Sequence, residues 1–155
     1  MPNMEILVGI SGSGKSTYAK RCKNSLVCSA DDFFIDKNGV YQFDANKLAQ
    51  AHGACLRKVI RESVEPEGDR NIVIDNTNLS IAEIAPYAAI ANAYGYDLTI
   101  VVFTCDFTLA ASRNVHGCSR SVIFAQAEKL RIVAQELRRS LWKKSVFFEK
   151  GVSNG

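Results

Sequence analysis

Short apolar runs alternate along the chain with longer stretches of helical periodicity, an alternation that predicts parallel strands joined by crossover helices. Four runs predict strands: Met4–Ile10, Leu26–Ser29, Asn71–Asp75 and Asp97–Thr104. A weaker fifth run, Ser145–Phe148, reads either as a strand or as a packed tail. The first three are too apolar to face water on either side, as a sheet sandwiched between helices requires.

The intervening segments predict helices. One runs from about Lys15 to Lys23. A second starts at Asp44, a good N-cap, with Phe43 and Leu48 spaced for a hydrophobic staple, and continues to about Glu65 before Pro66 and Gly68 stop it. Ser80-x-x-Glu83 is a capping box for a third, in which Pro86 either kinks the helix or marks its true start. The last long helix carries Ile123, Ala127, Leu130, Ala134, Leu137 and Leu141 as one apolar stripe, expected to cover the domain's own sheet rather than form a coiled-coil seam. Arg131, Arg138, Arg139, Lys143 and Lys144 lie along that segment as a solvated face.

A length of 155 residues and 47% hydrophobic content fit one compact domain covering residues 1–155. The longest apolar stretch, Leu98–Phe103, is too short to span a bilayer, and no signal-peptide pattern precedes the first strand, so a cytoplasmic protein without a membrane partner is expected. Cys22, Cys28, Cys55, Cys105 and Cys118 are scattered and odd in number, which suggests neither a disulfide framework nor a zinc site. A net charge of +3 suits an anionic substrate without naming one.

Chemistry enters at residues 9–16, which read Gly9-Ile10-Ser11-Gly12-Ser13-Gly14-Lys15-Ser16, a complete G-x-x-x-x-G-K-[ST] phosphate loop followed by Thr17. Gly12 and Gly14 let backbone N–H groups curl around an anion, and the helix beginning near Lys15 aims its positive end at the same place. A nucleoside triphosphate is the expected ligand, with Lys15 on the β- and γ-phosphates and Ser16 completing a magnesium shell.

Ligands of open α/β sheets gather beyond the carboxyl ends of the strands. Three further places there hold suitable groups: Asp31-Asp32, Asp75-Asn76-Thr77-Asn78, and Asp106. Phosphoryl transfer to a hydroxyl needs a carboxylate near that hydroxyl, and Asp31 is the candidate base, with Asp32 pointing elsewhere. Asp75, behind Ile72-Val73-Ile74, has the form of a Walker B aspartate; it either holds magnesium through water or orients the phosphate loop. Arg113-Asn114-Val115-His116-Gly117-Cys118-Ser119-Arg120, set between two helices, suits a lid that closes over the phosphates. Arg113 is the expected phosphate clamp and Arg120 its understudy, while His116 reads as a hydrogen-bonding lid residue.

The ordered set Gly9–Thr17, Ser29-Ala30-Asp31-Asp32-Phe33-Phe34, Val73–Leu79 and Arg113-Asn114-x-His116-Gly117 resembles the P-loop kinases of the polynucleotide 5′-hydroxyl kinase group, including the kinase-like domains of Nedd4-binding-protein-2-related proteins. The resemblance spans about residues 4–135. It implies a three-layer, adenylate-kinase-like P-loop NTPase fold: a mostly parallel sheet of four to five strands flanked by helices, with a small helical lid. It further implies ATP and Mg2+ bound through Lys15 and Ser16, with Ser11, Ser13, Thr17 and Arg120 on the nucleotide. Asp31 would be general base, Arg113 a lid residue, and a nucleic acid 5′ end the acceptor, met by Asp32, Phe34, Asp75, Asn76, Asn78 and His116.

The departures from this group are specific. Phage-type enzymes carry an arginine where this chain has Phe34, and a second lid arginine where it has His116. The usual Val-Pro and downstream arginine are replaced by Cys118-Ser119 and Ala125, and no D-x-D-x-[TV] phosphatase motif is present. Three functions are therefore compared: a polynucleotide 5′-hydroxyl kinase, a nucleoside or metabolite kinase, for which Phe34 would stack on a free base, and a non-catalytic nucleotide-binding module. Asp36-Lys37-Asn38-Gly39 fits a GTPase D-x-x-G only formally, since no strand leads into it.

Overall fold

In a computed structural model, described here for residues 1–113 and 117–148, five parallel strands form one sheet in the order β2-β3-β1-β4-β5. The strands are β1 (Asn3–Val8), β2 (Ser25–Cys28), β3 (Asn71–Asp75), β4 (Asp97–Thr104) and β5 (Lys144–Phe148). Between them run α1 (Lys15–Arg21), α2 (Leu48–Val64), α3 (Ile81–Ala93), α4 (Phe107–Ser112) and α5 (Arg120–Arg139). Every strand pairing is parallel, so each connection is a crossover that returns the chain to the same end of the sheet.

Strand alternation sorts the core into two layers. Met4, Ile6, Val8, Ile72, Ile74, Ile100 and Val102 face α2, α3 and α5. Leu7, Val73, Val101 and Phe103 face α1. The single short helix on that second side is supplemented by rings: Phe147 of β5 stacks on Phe103 at 5.7 Å, and Tyr18 meets both. β5 is thus a strand and not a loose tail, because its pairing with β4 brings an aromatic cover to the thinly covered face.

Three expectations change. β2 is an edge strand with three of its four residues only half-buried, so apolar composition there reflects one covered face rather than two. Asp44 caps a short 3-10 turn, Ala45–Lys47, by accepting the Asn46 N–H at 3.0 Å, and α2 proper starts at Leu48. Phe43 packs on Phe34 with ring centroids 5.1 Å apart instead of serving simply as a staple. Along α5 the buried positions are Ile123, Leu130, Val133 and Leu137; Leu141 lies past the helix end and is fully exposed. The stripe packs into the chain's own core. Ser80 caps α3 from the Glu83 N–H, and the helix runs through Pro86 rather than starting at it.

Candidate functional site

The carboxyl ends of β1, β2 and β3 are tied together before any ligand arrives. Gly9 donates its N–H to the Thr77 carbonyl at 3.0 Å. Asn78, in the left-handed region at φ 49°, donates to the Leu7 carbonyl at 2.8 Å, and Asn76 accepts the Ala30 N–H at 2.8 Å. Asn76 and Asn78, expected to face an acceptor, are buried and spend these amide groups on backbone. They fix the spacing of the first three strand ends, which is what positions Asp75 and Asp31 against the phosphate loop.

The loop itself turns on two left-handed glycines, Gly12 at φ 81° and Gly14 at φ 100°, the latter being the N-cap of α1. Ser13 is fully buried. Lys15, also buried, folds back so that Nζ donates to the Ile10 carbonyl at 2.8 Å and reaches Ser13 Oγ at 3.5 Å. Burial pulls its pKa down to about 8, against the opposing pull of the Asp75 and Asp31 carboxylates. Ser16 donates its hydroxyl to Asp75 Oδ2 at 2.9 Å, while Thr17 is exposed beside it. Burial raises the Asp75 pKa, and the Ser16 hydrogen bond and Lys15 charge partly offset it.

Ser16 and Asp75 form a hard oxygen pair at a helix N-terminus. No cluster of three metal-ligating side chains occurs among the described residues. Magnesium in nucleotide sites keeps several waters and takes one or two protein oxygens plus phosphates, so this donor set fits that ion.

Asp31 begins a 3-10 helix, Ala30–Phe34, capped by Ser29, whose Oγ accepts the Asp31 N–H at 3.2 Å. Its carboxylate lies close enough to Lys15 and Asp75 to act on both. Tyr41 donates its hydroxyl to Asp31 Oδ1 at 3.1 Å, and burial first, then Asp31, pushes the Tyr41 pKa up to about 12, so the phenol stays a donor. Asp32 points away and pairs with Lys58 of α2 at 3.8 Å. Phe34 is buried in an aromatic group with Phe33, Tyr41 and Phe43. The D-x-x-G run is turn chemistry: Asp36 Oδ1 accepts the N–H groups of Asn38 and Val40.

On the lid side, Arg113 is half-buried and forms the C-cap of α4. Arg120 opens α5 with its guanidinium 5.7 Å from the centre of the Phe107 ring. His116, expected as a lid residue, lies outside the described residues. Three participants were not singled out individually by the sequence, and of these only Cys118 lies in the expected lid segment. Gln126 of α5 accepts the Ser11 N–H at 2.9 Å, Cys118 Sγ lies 3.9 Å from Ser11 Oγ, and Tyr41 holds Asp31. A hydrogen bond spanning 115 residues cannot be read from local pattern. The five cysteines form no disulfide; Cys28 and Cys55 are buried and the other three half-buried.

A family model described as an AAA domain (AAA_33) matches residues 4–134. Human NEDD4-binding protein 2 is 33% identical over 137 residues, covering 79% of this chain and 7% of that protein. A protein of Autographa californica nuclear polyhedrosis virus named as a bifunctional polynucleotide kinase/RNA ligase is 26% identical over 122 residues, covering 70% of this chain and 17% of that one. A solved chain of the Pnkp1/Rnl/Hen1 RNA repair complex superposes with a TM-score of 0.71 at 22% identity, covering 92% of this chain and 47% of that chain. The chain therefore spans only a small part of the curated relatives named here. No helix among the described residues is long and apolar enough to cross a membrane. With a complete phosphate loop, an aspartate at the end of β3 that accepts from Ser16, and a matching family model over most of its length, the chain belongs to the AAA_33 family of P-loop kinase domains.

Proposed function

We propose that the protein transfers the γ-phosphoryl group of ATP to the 5′-hydroxyl of a polynucleotide. The observation that carries the reading is Asp31, placed just past the end of β2, within electrostatic range of Lys15 and Asp75, with Tyr41 donating to its carboxylate. In this reading Asp31 accepts the acceptor's hydroxyl proton as the oxygen attacks the γ-phosphorus, and the bond to the β,γ-bridging oxygen breaks to release ADP. Lys15 swings from the Ile10 carbonyl onto the β- and γ-phosphate oxygens, where a fixed positive charge is worth most as charge builds in the transition state. Ser16 and Asp75 would hold magnesium, which supplies neutralisation of the phosphate oxygens. Arg113 and His116 would close the lid over the tail. A single domain spanning residues 1–155 is part of the same proposal.

The names of the relatives support the acceptor class, since the viral relative is named as a polynucleotide kinase and the structural neighbour belongs to an RNA repair complex. One observation favours a small-molecule acceptor instead: Phe34, where phage-type relatives carry an arginine, is packed away from solvent and offers no charge to an acceptor phosphate. Incubation with ATP labelled at the γ-position and a panel of 5′-hydroxyl DNA and RNA oligonucleotides, nucleosides and sugars separates the two. Label on oligonucleotide 5′ ends is expected. Transfer only to a soluble small acceptor would replace the polynucleotide reading, and no transfer to any acceptor would remove the kinase reading.

A further inference from the structure

A groove of about 610 Å³ lies beside the 3-10 helix that carries Asp31, lined by Phe33, Ile35, Gln42, Phe43 and Lys47 among others. Sites that take small organic ligands run from ~300 to 1,000 Å³, so the space is adequate for one planar heterocycle and its sugar. Its two outer rings are open to water: Phe33 is 40% exposed and Phe43 55%. Packing does not explain that exposure, because Phe34 beneath them already fills the core side, its ring edge-on to Phe33 at 5.4 Å and tilted to Phe43 at 5.1 Å.

The walls are rigid. Gln42 donates its N–H to the Phe34 carbonyl at 2.8 Å, and Asp36 donates its own to the Val40 carbonyl at 2.9 Å. The groove's two carboxylates are engaged locally: Asp36 accepts from Asn38 and Val40 through Oδ1 and from Gln42 Nε2 through Oδ2, and Asp44 Oδ1 accepts from Asn46. Lys47 supplies positive charge at one end. One side-chain relay links the groove to Asp31: the Tyr41 ring packs on Phe34, which lines the groove, while its hydroxyl donates to Asp31.

We infer that this groove stacks an unpaired nucleobase of the acceptor, within the first two nucleotides of its 5′ end, between Phe33 and Phe43, with Lys47 toward the adjoining phosphodiester. The inference rests on the polynucleotide reading and deepens it. Flat apolar rings favour base faces without reading sequence, so the acceptor class is single-stranded ends of any base composition. Recognition by rings takes over the anchoring that an arginine at position 34 would give through phosphate.

The test is steady-state kinetics on the Phe33→Ala/Phe43→Ala double variant with 5′-hydroxyl single-stranded octamers. Base–aromatic stacking predicts a rise in oligonucleotide KM of roughly five- to a hundredfold, with kcat and the KM for ATP within about twofold of wild type. Octamers abasic at the first two positions should erase the difference between variant and wild type. Phe43→Trp should restore the KM that Phe43→Leu leaves raised, because an aliphatic side chain keeps bulk and loses the π-face. An unchanged KM in the double variant, or an equal penalty on abasic octamers, overturns the inference and leaves the kinase reading standing. A changed oligomeric state with unchanged KM, seen by size-exclusion chromatography, overturns it in favour of a protein interface. Wild-type protein that phosphorylates no oligonucleotide overturns both.

Discussion

Gly12 and Gly39 sit at nearly the same left-handed φ, 81° and 80°, yet their surroundings differ completely. A Cβ at Gly12 would lie 2.4 Å from the Ala110 carbonyl oxygen of α4, whereas a Cβ at Gly39 would meet nothing within 4 Å. Alanine at either site takes on the cost of left-handed backbone, about 1–2 kcal/mol. At Gly12 a methyl must also displace packed backbone, which adds about 1–3 kcal/mol. The loss is thus about 2–5 kcal/mol for Gly12→Ala against about 1–2 kcal/mol for Gly39→Ala, and the difference isolates the steric part. For a chain of this size each kcal/mol moves the midpoint by roughly 2–4 °C. Thermal and urea unfolding of the two variants should therefore separate by an extra ~2–12 °C, with Gly12→Ala the weaker. The same displacement reaches the phosphate loop, so ATP affinity should fall in Gly12→Ala and hold in Gly39→Ala. Equal losses in the two proteins would show that α4 does not press on the loop, and the reasoning that packs α4 against the phosphate loop would fail.

Asp31→Asn should cut turnover by roughly a hundredfold or more with the KM for ATP kept, measured on whichever acceptor the panel identifies; an unchanged rate would mean that another group takes the proton. Lys15, with a pKa near 8 in the unliganded protein, is partly neutral at pH 8, and a triphosphate tail restores its charge. Calorimetry in buffers of different ionisation enthalpy should then show net proton uptake on nucleotide binding at pH 8 that fades toward pH 6.5, where the amine is already charged, and equal buffer dependence at both values would contradict it. Asn78→Ala strands the Leu7 carbonyl and forces alanine to positive φ, with an expected loss of about 2–4 kcal/mol in urea unfolding. Asn78→Gly should recover the backbone share of that loss, and no recovery would assign all of it to the hydrogen bond.

How much was legible divides along the range of the interactions. The phosphate loop and β3 are local: the glycines demand positive φ, the run Ile72-Val73-Ile74 demands burial, and both read directly. The fifth strand stayed ambiguous because Lys144–Phe148 becomes a strand only by pairing with β4 across more than forty residues. Leu141 fell into the α5 stripe because heptad spacing continues through a point where the backbone has left the helix; Ser140 is already extended at φ −78°, ψ 155°. Asn76 and Asn78 stand where substrate-facing residues stand in such sheets, and only the closeness of β1 and the turn after β2 shows that their amides point inward. Tyr41 and Gln126 carry no pattern, since each matters for where one atom ends up.

Those long-range atoms engage the loop's own donors. Lys15 Nζ donates to the Ile10 carbonyl, the Ser16 hydroxyl to Asp75, and the Ser11 N–H to Gln126. Each hydrogen bond contributes little by itself, about 0.5–1.5 kcal/mol net, but leaving such a group buried and unmade costs more. Nucleotide binding at this loop is consequently an exchange of partners rather than the filling of an empty cradle. The partners given up belong to three different elements, the loop itself, the end of β3 and the face of α5. A ligand that takes them over changes the constraints on all three together, and α5 follows directly on the segment expected to form the lid. In the proposed reading, release of Ser11 from Gln126 would couple an occupied phosphate loop to α5 and, through it, to the segment expected to form the lid.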